Sequence, residues 1–289
     1  MRDEWRMTDR MVVLGLGYSG AAIAAEAAAC GFAVSGTARD LASARAPDGV
    51  AVVRFDTAGE AIRAATHLVV TAAPEEGGDP VLAAHRDAVL AAEGLRWIGY
   101  LSTTGVYGDC DGGEVDESAA PAPGQARSVR RLEAETVWRD VAATCGVALD
   151  LFRVGGIYGP GRSAFDDLRA GKARRVVKPG HAFSRVHRDD IALAVVTAAL
   201  RPDGARVLHL VDDEPAPAAE VVAEAARLLG VQPPAEVPFE VARARMSPMA
   251  LSFWAENRRV GNALTKAALG ITWRYPTYRE GLRAILAER

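Results

Sequence analysis

Three glycines near the N-terminus have the spacing of a turn that binds a pyrophosphate. Gly15, Gly17 and Gly20 follow a short apolar run and open an alanine-rich run. The first glycine permits a tight turn, the second lets backbone approach a phosphate, and the third lets a helix pack on a strand. A helix N-terminus also attracts negative charge. The pattern predicts a dinucleotide-binding turn, the alternative being a glycine-rich β-to-α turn without a ligand.

The end of the second apolar run favours NADP as the cofactor. NAD-binding proteins usually place an acidic side chain there, where it accepts hydrogen bonds from the adenosine ribose. This chain has Gly36-Thr-Ala-Arg39 instead. A guanidinium can hold a 2′-phosphate in a fork. We therefore predict NADP, with NAD as the alternative cofactor, whereas a solvated surface side chain is the alternative for Arg39.

Two further segments follow apolar runs, namely Phe55-Asp56 and Thr71-Ala-Ala-Pro74. Both are expected at the same edge of the sheet. Ligands of α/β sheets bind at the carboxyl ends of the strands. Asp56 is expected there to meet the adenine amino group, or else to cap the helix that follows. The residues predicted on these grounds to contact the cofactor are Gly15, Gly17, Tyr18, Ser19, Gly20, Arg39, Asp56, Thr71, Ala72 and Ala73.

Elements that would position these residues alternate along the chain. Runs rich in β-branched residues lie at 11–14, 33–35, 50–55, 67–71, 97–101 and 148–154, and helical patterns lie at 19–29, 80–92 and 127–145. Such alternation predicts parallel strands joined by helical crossovers. The expected fold class is α/β, a doubly wound parallel (Rossmann) sheet with a smaller C-terminal substrate lobe.

The expected domain division follows from where the alternation weakens. We predict an NAD(P)-binding Rossmann domain at 10–160, to which 183–212 return with a helix and a strand. The smaller substrate lobe comprises 161–182 and 213–289, with helices at 218–229 and 278–286. Residues 232–262 receive no assignment.

Composition excludes several classes of function. The 289 residues carry a formal net charge of -3, and no basic stripe suggests a nucleic-acid partner. No apolar stretch approaches the length of a membrane-spanning helix. The three cysteines and five histidines lack metal-binding spacing, so we expect no metal. A small-molecule substrate and a reduced, cytoplasmic location are expected.

Several motifs, in order, resemble the extended short-chain dehydrogenase/reductase superfamily. The segment Leu-Ser-Thr-Thr-Gly-Val-Tyr-Gly at 101–108 resembles its fifth-strand motif, and 153–162 and 186–190 are similar to later signatures. The glycine turn and the 36–39 pattern resemble an atypical NAD(P)-dependent epimerase/dehydratase-like branch that includes the YeeZ-like group. The resemblance implies an oxidoreductase or epimerase/dehydratase-like enzyme acting on a small polar substrate, with sugar nucleotides suggested only by analogy.

The chain departs from this superfamily at its catalytic pair, Tyr-x-x-x-Lys. No tyrosine here is followed four residues later by a lysine. Alignment on Glu135 places Arg127 and Arg131 at the two positions. Arginine stays protonated at neutral pH, so Arg127 can stabilise an anion but cannot accept a proton. Arg131 is expected to hold the nicotinamide ribose, and His187 to be buried at a strand-to-helix junction.

The remaining catalytic candidates come from the 101–108 motif. Thr103 matches the superfamily's catalytic serine or threonine and would hydrogen-bond a substrate oxygen, or else satisfy backbone at a strand end. Tyr107 would replace the missing proton donor, or else pack beneath its loop. The competing hypotheses are a catalytically silent NADP-binding sensor or scaffold, and a degenerate cofactor fold with a structural role. We expect a monomer or homodimer.

Overall fold

The computed structural model describes residues 9–42 and 44–288. Its strands are β1 (Arg10–Leu14), β2 (Ala33–Ala38), β3 (Ala51–Arg54), β4 (His67–Val70), β5 (Trp97–Thr103), β6 (Glu114–Val115), β7 (Ala148–Val154), β8 (Gly156–Tyr158), β9 (Arg175–Val177), β10 (Arg185–His187), β11 (Ala205–Leu210), β12 (Glu236–Pro238) and β13 (Arg259–Val260). Its α-helices are α1 (Tyr18–Ala29), α2 (Gly59–Arg63), α3 (Pro80–Leu90), α4 (Ala126–Cys145), α5 (Ala164–Arg169), α6 (Arg188–Leu200), α7 (Ala218–Leu228), α8 (Phe239–Ala242), α9 (Pro248–Trp254), α10 (Ala263–Leu269) and α11 (Tyr278–Ala287). Single turns of 3₁₀ helix occupy Phe55–Thr57, Thr104–Tyr107 and Arg243–Arg245.

Within the described part of the chain, seven strands form one parallel sheet in the order β11-β7-β5-β4-β1-β2-β3. The register of β1 is set on both sides, since Val12 pairs with Ser35 of β2 and with Leu68 of β4. The strand order changes direction between β1 and β4, which is the switch point where α/β sheets bind ligands. The predicted doubly wound α/β fold is confirmed.

The strands depart from the predicted runs mainly at their ends. β2 continues three residues beyond the predicted run, to Ala38, because Gly36 and Thr37 are buried there and pair with β3. β3 ends at Arg54, since the chain turns into a 3₁₀ helix at Phe55. These differences lie at the carboxyl edge of the sheet, where the candidate cofactor residues lie.

The described residues form two compact units that interleave along the sequence. Of the described residues, the first unit draws on 9–42, 44–103, Val129–Arg153 and Ile191–Leu208, and the second on Thr104–Ser128, Val154–Asp190 and 209–288. In the first unit, helix residues such as Trp138 of α4 and Val89 of α3 pack on strand residues such as Leu14 and Ile98. Covering a parallel sheet in this way explains why its strands are apolar almost throughout.

The second unit is built from short elements. The pairs β8 with β10, β9 with β12 and β6 with β13 are each parallel. Its core includes Phe165 of α5 with Tyr278, Leu282 and Ile285 of α11. α11 begins at a capping box, in which Thr277 and Glu280 satisfy backbone amides. The segment 232–262, unassigned from sequence, contains helices of four and seven residues, which are too short to show a helical period.

One buried carboxylate ties three neighbouring strands of the first unit together. Asp150 of β7 accepts a hydrogen bond from Trp97 Nε1 of β5 at 2.7 Å. It also accepts from Arg206 Nε and Nη2 of β11, at 2.6 and 2.7 Å. The Asp150 side chain is 1% exposed. If it were removed, little water could reach these donors to accept their hydrogen bonds.

We expect Asp150→Ala to lower the free energy of unfolding by about 3–5 kcal/mol, because it leaves a largely buried guanidinium without its partner. Urea denaturation of the purified protein measures this. Asp203→Ala, at an exposed carboxylate near the start of β11, is the matched control, with an expected change below about 1 kcal/mol. Similar small losses in both variants would contradict the assignment.

Candidate functional site

The glycine turn between β1 and α1 is held by two threonines. Gly15 N donates to Thr37 Oγ1 at 3.0 Å, and Thr71 Oγ1 donates to Gly15 O at 2.7 Å. Thr37 lies in β2 and Thr71 follows β4, so the strands on both sides of β1 fix this turn. Thr71 was predicted to contact the cofactor, and its hydroxyl donates to the backbone of the turn.

The three glycines of the turn have different reasons to be glycine. Gly15 has a φ of 118°, and a Cβ there would lie 2.5 Å from Thr71 Oγ1. A Cβ on Gly20 would overlap the Gly15 carbonyl oxygen. Gly17 is different, because it is exposed and a Cβ there would meet nothing within 4 Å. Its open face leaves room for a ligand to approach the backbone at the start of α1.

The N-terminus of α1 suits an anion. Gly17 is its N-cap residue, no side chain of the described residues caps it, and its first turn contains no acidic residue. A helix of twelve residues directs partial positive charge at this end. Tyr18 and Ser19, the other residues predicted here, form the first turn of the helix, directly after the open glycine.

Arg39 follows the last residue of β2 and is exposed. Within residues 9–42 and 44–288, its guanidinium forms no hydrogen bond or ion pair. Asp56, in contrast, is engaged. Arg54 Nε and Nη2 donate to its two oxygens at 3.0 and 2.7 Å, and these hydrogen bonds lower the pKa of Asp56. An adenine amino group at Asp56 would share the carboxylate with Arg54.

Arg131 of α4 connects the ends of two strands. Its Nη1 donates to Leu101 O at 2.7 Å, to Tyr100 Oη at 3.1 Å and to Ala72 O at 3.4 Å. Burial raises the pKa of Tyr100 to about 12, against the opposing effect of the Arg131 charge, so the phenol is neutral at pH 7. Nε and Nη2 of Arg131 form no bond with the described residues, which leaves two nitrogens for a ligand. Ala73 continues the same segment and is exposed.

A buried ion pair that the sequence did not reveal sets the position of α4. Glu135 is 1% exposed and accepts from Ser102 Oγ at 2.5 Å and from Arg153 Nε and Nη2 at 3.1 and 2.8 Å. These bonds join α4 to β5 and β7. Glu135 lies four residues after Arg131, so the ion pair holds the adjacent turn of α4 in place. An arginine within the apolar run of β7 was the sequence signal for it.

The catalytic candidates fall in both units. Thr103 ends β5 in the first unit and is half-buried. Tyr107 lies in the second unit, is buried, and has its hydroxyl 2.5 Å from His209 Nε2. His209 Nδ1 lies 2.8 Å from Gly261 O and must donate to it. The Tyr107 hydroxyl also lies 3.4 Å from Asp116 O. This geometry favours the alternative in which Tyr107 packs beneath its loop.

Arg127 is also in the second unit, in the first turn of α4. Its guanidinium carbon lies 4.0 Å from the centroid of the Phe253 ring. This is a cation-π contact with an aromatic residue of α9. Sequence reasoning missed Phe253, because α9 was part of the unassigned segment.

The second unit also buries groups that titrate far from their ordinary values. His187 lies between the rings of Tyr158 and Tyr275, and burial lowers its pKa to about 4. Its ring is therefore neutral at pH 7, in keeping with a structural role. Burial raises the pKa of Asp212 to about 8, although the charge of Arg185 opposes the shift.

Two features are absent from residues 9–42 and 44–288. No helix there combines the length and apolar character needed to cross a membrane. No group of three or more histidine, cysteine, aspartate or glutamate side chains is arranged to hold a metal ion.

Comparison with known sequences gives curated relatives of two kinds. The chain is 32% identical over 185 residues to a 3-diazoavenalumate denitrifying reductase from a Streptomyces species, a match that covers 58% of this chain and 58% of that protein. The chain thus spans little more than half of this relative's length. It is 29% identical over 243 residues to Protein YeeZ of Escherichia coli K12, covering 78% of this chain and 85% of YeeZ. No protein-family model matches the sequence.

Solved structures match over nearly the whole chain. A functionally unknown conserved protein from Silicibacter pomeroyi matches with a TM-score of 0.90 and 42% identity, over 97% of this chain and 99% of that one. MoeE5 in complex with UDP-glucuronic acid and NAD matches with a TM-score of 0.76 and 20% identity, over 96% of this chain and 99% of MoeE5. A human epimerase family protein with NADPH matches with a TM-score of 0.72 and 17% identity, over 97% of this chain and 100% of that protein.

The chain has an extended short-chain dehydrogenase/reductase-like fold, and its structural neighbours are NAD-dependent epimerase/dehydratase-family proteins. The resemblance predicted from the motifs, including the likeness to YeeZ, is confirmed. Within that class, the chain belongs to the same family as the Silicibacter pomeroyi protein.

We expect Asp212→Asn to change how stability depends on pH. The native pKa of Asp212, about 8, exceeds its ordinary value of 3.8. The native state therefore holds this proton more tightly than the unfolded state, and the stability it contributes at low pH is lost as pH rises through that window. Asparagine does not titrate, so the variant should gain stability relative to wild type between pH 5 and pH 8, by a few kcal/mol.

Urea denaturation at the two pH values measures the difference. Asp203→Asn, at an exposed carboxylate, is the control, and it should change the free energy of unfolding by the same amount at both pH values. A pH-independent difference for Asp212→Asn would mean that Asp212 ionises near its ordinary pKa.

Proposed function

We propose that the chain is an NADP-dependent oxidoreductase or epimerase/dehydratase-like enzyme acting on a small polar substrate. The guanidinium of Arg39, directly after β2, is exposed and unpaired among the described residues, and this observation carries the choice of NADP. It lies on the sheet edge that also carries the open backbone of Gly17. The structural neighbours that contain NAD and NADPH support a nicotinamide cofactor. The predicted cytoplasmic location and monomer or homodimer state belong to the same proposal.

The chain's own residues divide the work as follows. The cofactor, when bound, donates or accepts a hydride. Arg131 positions it, Thr103 orients the substrate oxygen, and Arg127 stabilises negative charge on that oxygen. Neither arginine can accept a proton. Proton transfer falls to Tyr107, whose own proton would then come from or go to His209, or to water.

Aryl diazo compounds form a second substrate class. The curated reductase relative is named for a diazo substrate, and the missing Tyr-x-x-x-Lys pair favours a reaction of that kind. When a hydride forms a new C–H bond and dinitrogen leaves with the electrons of the C–N bond, the step balances without a proton. Such a reduction needs only a positioned cofactor and a cation for any anionic oxygen of the substrate.

We expect the protein to bind NADPH more tightly than NADH. Arg39→Ala should weaken NADPH binding about 10- to 100-fold, because it removes charge-assisted hydrogen bonds to the 2′-phosphate, and should leave NADH binding unchanged. Calorimetric titration of the cofactor-free protein measures both affinities. Arg86→Ala, at an exposed arginine of α3, is the matched control.

Equal loss of NADPH and NADH binding in Arg39→Ala would remove the 2′-phosphate assignment. If neither cofactor bound to wild type, the enzyme hypothesis would fall, leaving the degenerate fold with a structural role.

We expect Thr103→Ala to lower kcat by about 10²- to 10³-fold, because a donor to the reacting oxygen is lost. Tyr107→Phe tests the proton source, since loss of a general acid costs about 10²- to 10⁴-fold. The assay is NADPH oxidation with ketones, aldehydes, sugar nucleotides and aryl diazo compounds. A Tyr107→Phe variant with normal kcat and a lower Tm would assign proton transfer to water.

Unchanged turnover in both variants would remove these roles. If NADPH bound but no substrate were turned over, a catalytically silent sensor or scaffold would be the better account.

A further inference from the structure

The Arg127 guanidinium meets an aromatic ring and has no polar partner among the described residues. Within residues 9–42 and 44–288 it forms no hydrogen bond and no ion pair, and its Cζ lies 4.0 Å from the centroid of the Phe253 ring. A guanidinium carries five N–H donors in one plane, arranged as a fork for a carboxylate. The side chain is half-buried, so binding an anion would release fewer water contacts than at a fully exposed arginine.

Phe253 is an exposed aromatic side chain held on an anchored helix. It is 54% exposed, and Met249, one turn earlier on α9, is 69% exposed. The neighbouring Trp254 fixes the helix, because its ring lies 5.3 Å from Phe239 and 5.0 Å from Phe183. Phe253 is more than half exposed and presents an apolar surface beside the guanidinium of Arg127.

Lys178 fixes the same helix end from another side. Its Nζ donates to Trp254 O at 2.6 Å and lies 5.0 Å from the centroid of Phe239. This ammonium is committed to the packing of α9, whereas the Arg127 guanidinium is not. Of the two cations Lys178 and Arg127, only Arg127 is therefore available to an anion that approaches Phe253.

An aromatic ring and a single planar anion match these features together. A carboxylate accepts two N–H groups of one guanidinium in a fork, and carries the one charge that one arginine neutralises. An aromatic ring attached to it is brought against Phe253 and Met249, where aromatic and sulfur contacts are favourable. A diphosphate carries more charge than a single guanidinium neutralises.

We propose that Arg127 and Phe253 bind an aromatic carboxylate, with the carboxylate on the guanidinium and the ring against the Phe253 side chain. This names a substrate class for the proposed function and rests on it, because that function assigns Arg127 to the substrate. The site makes Phe253 a residue that determines specificity.

The test is calorimetric titration of the full chain, saturated with NADPH, with cinnamate as the probe. Cinnamide keeps the ring and lacks the charge, and 3-cyclohexylpropionate keeps the charge and lacks the aromatic ring. We expect cinnamate to bind at least about tenfold more tightly than either, since each comparator lacks one of the two contacts.

Variants separate the two contacts. Arg127→Met and Arg127→Lys should each weaken cinnamate about tenfold or more, because neither provides the fork. Phe253→Leu should weaken cinnamate several-fold while leaving 3-cyclohexylpropionate unchanged, because leucine keeps apolar volume and loses the aromatic face. Arg139→Met, on the same helix α4, is the matched control and should bind cinnamate as wild type does.

Three results would overturn the proposal. Equal affinities for cinnamate and its two comparators, or unchanged cinnamate binding in both Arg127 variants, would mean that Arg127 and Phe253 form only a surface stack. Tighter binding of UDP-glucuronate than of cinnamate, lost in Arg127→Met, would assign the pair to sugar nucleotides. NADPH affinity is measured first, so failure of the cofactor site and failure of this site are distinguished.

Discussion

The backbone of Gly15 is held between two threonine hydroxyls, and the candidate cofactor site depends on this arrangement. Thr37 accepts from its amide and Thr71 donates to its carbonyl. Because β1, β2 and β4 are parallel neighbours, the residues that follow these strands share one edge of the sheet. Arg39 and Ala72 are therefore carried to the same edge as the open Gly17. A turn fixed from both sides keeps the start of α1 where an anion can meet it.

The second constraint on the first unit is electrostatic. Glu135 and Arg153 form an ion pair at 1% and 4% side-chain exposure, where desolvation offsets much of the attraction. Such a pair adds little net stability but fixes the relative position of its two elements, because separating the partners would leave a buried charge without a counterion. The pair holds α4 against β5 and β7, one helical turn from Arg131. Arg131 donates to Leu101 O of β5 and to Ala72 O after β4. The candidate cofactor site at the carboxyl edge of the sheet thus extends from β4 to β5.

The sequence predicted the strands well because a covered parallel sheet requires runs of apolar, β-branched residues. It predicted too short a β2, since Gly36-Thr-Ala38 has the composition of a turn and forms a strand only through pairing with β3. It also identified the glycine turn, whose spacing is local. It did not show that Thr71 supports this turn, or that Tyr107 meets a histidine 102 residues away. These roles depend on tertiary pairing. Phe253 was missed because α9 is too short to be periodic.

Arginine in place of the superfamily's tyrosine changes what the substrate must provide. A tyrosine phenol can pass a proton to a developing oxyanion, whereas Arg127 can only stabilise the negative charge. The phenol of Tyr107 is buried, and its oxygen lies 2.5 Å from His209 Nε2 and 3.4 Å from Asp116 O. On the proposed function, unless Tyr107 or water supplies a proton, the electrons displaced by a hydride rest on a stable anion or depart with a leaving group. Without that proton, a carbonyl compound with a strongly basic alkoxide product fits poorly, and a substrate with a stable product anion or a good leaving group fits well.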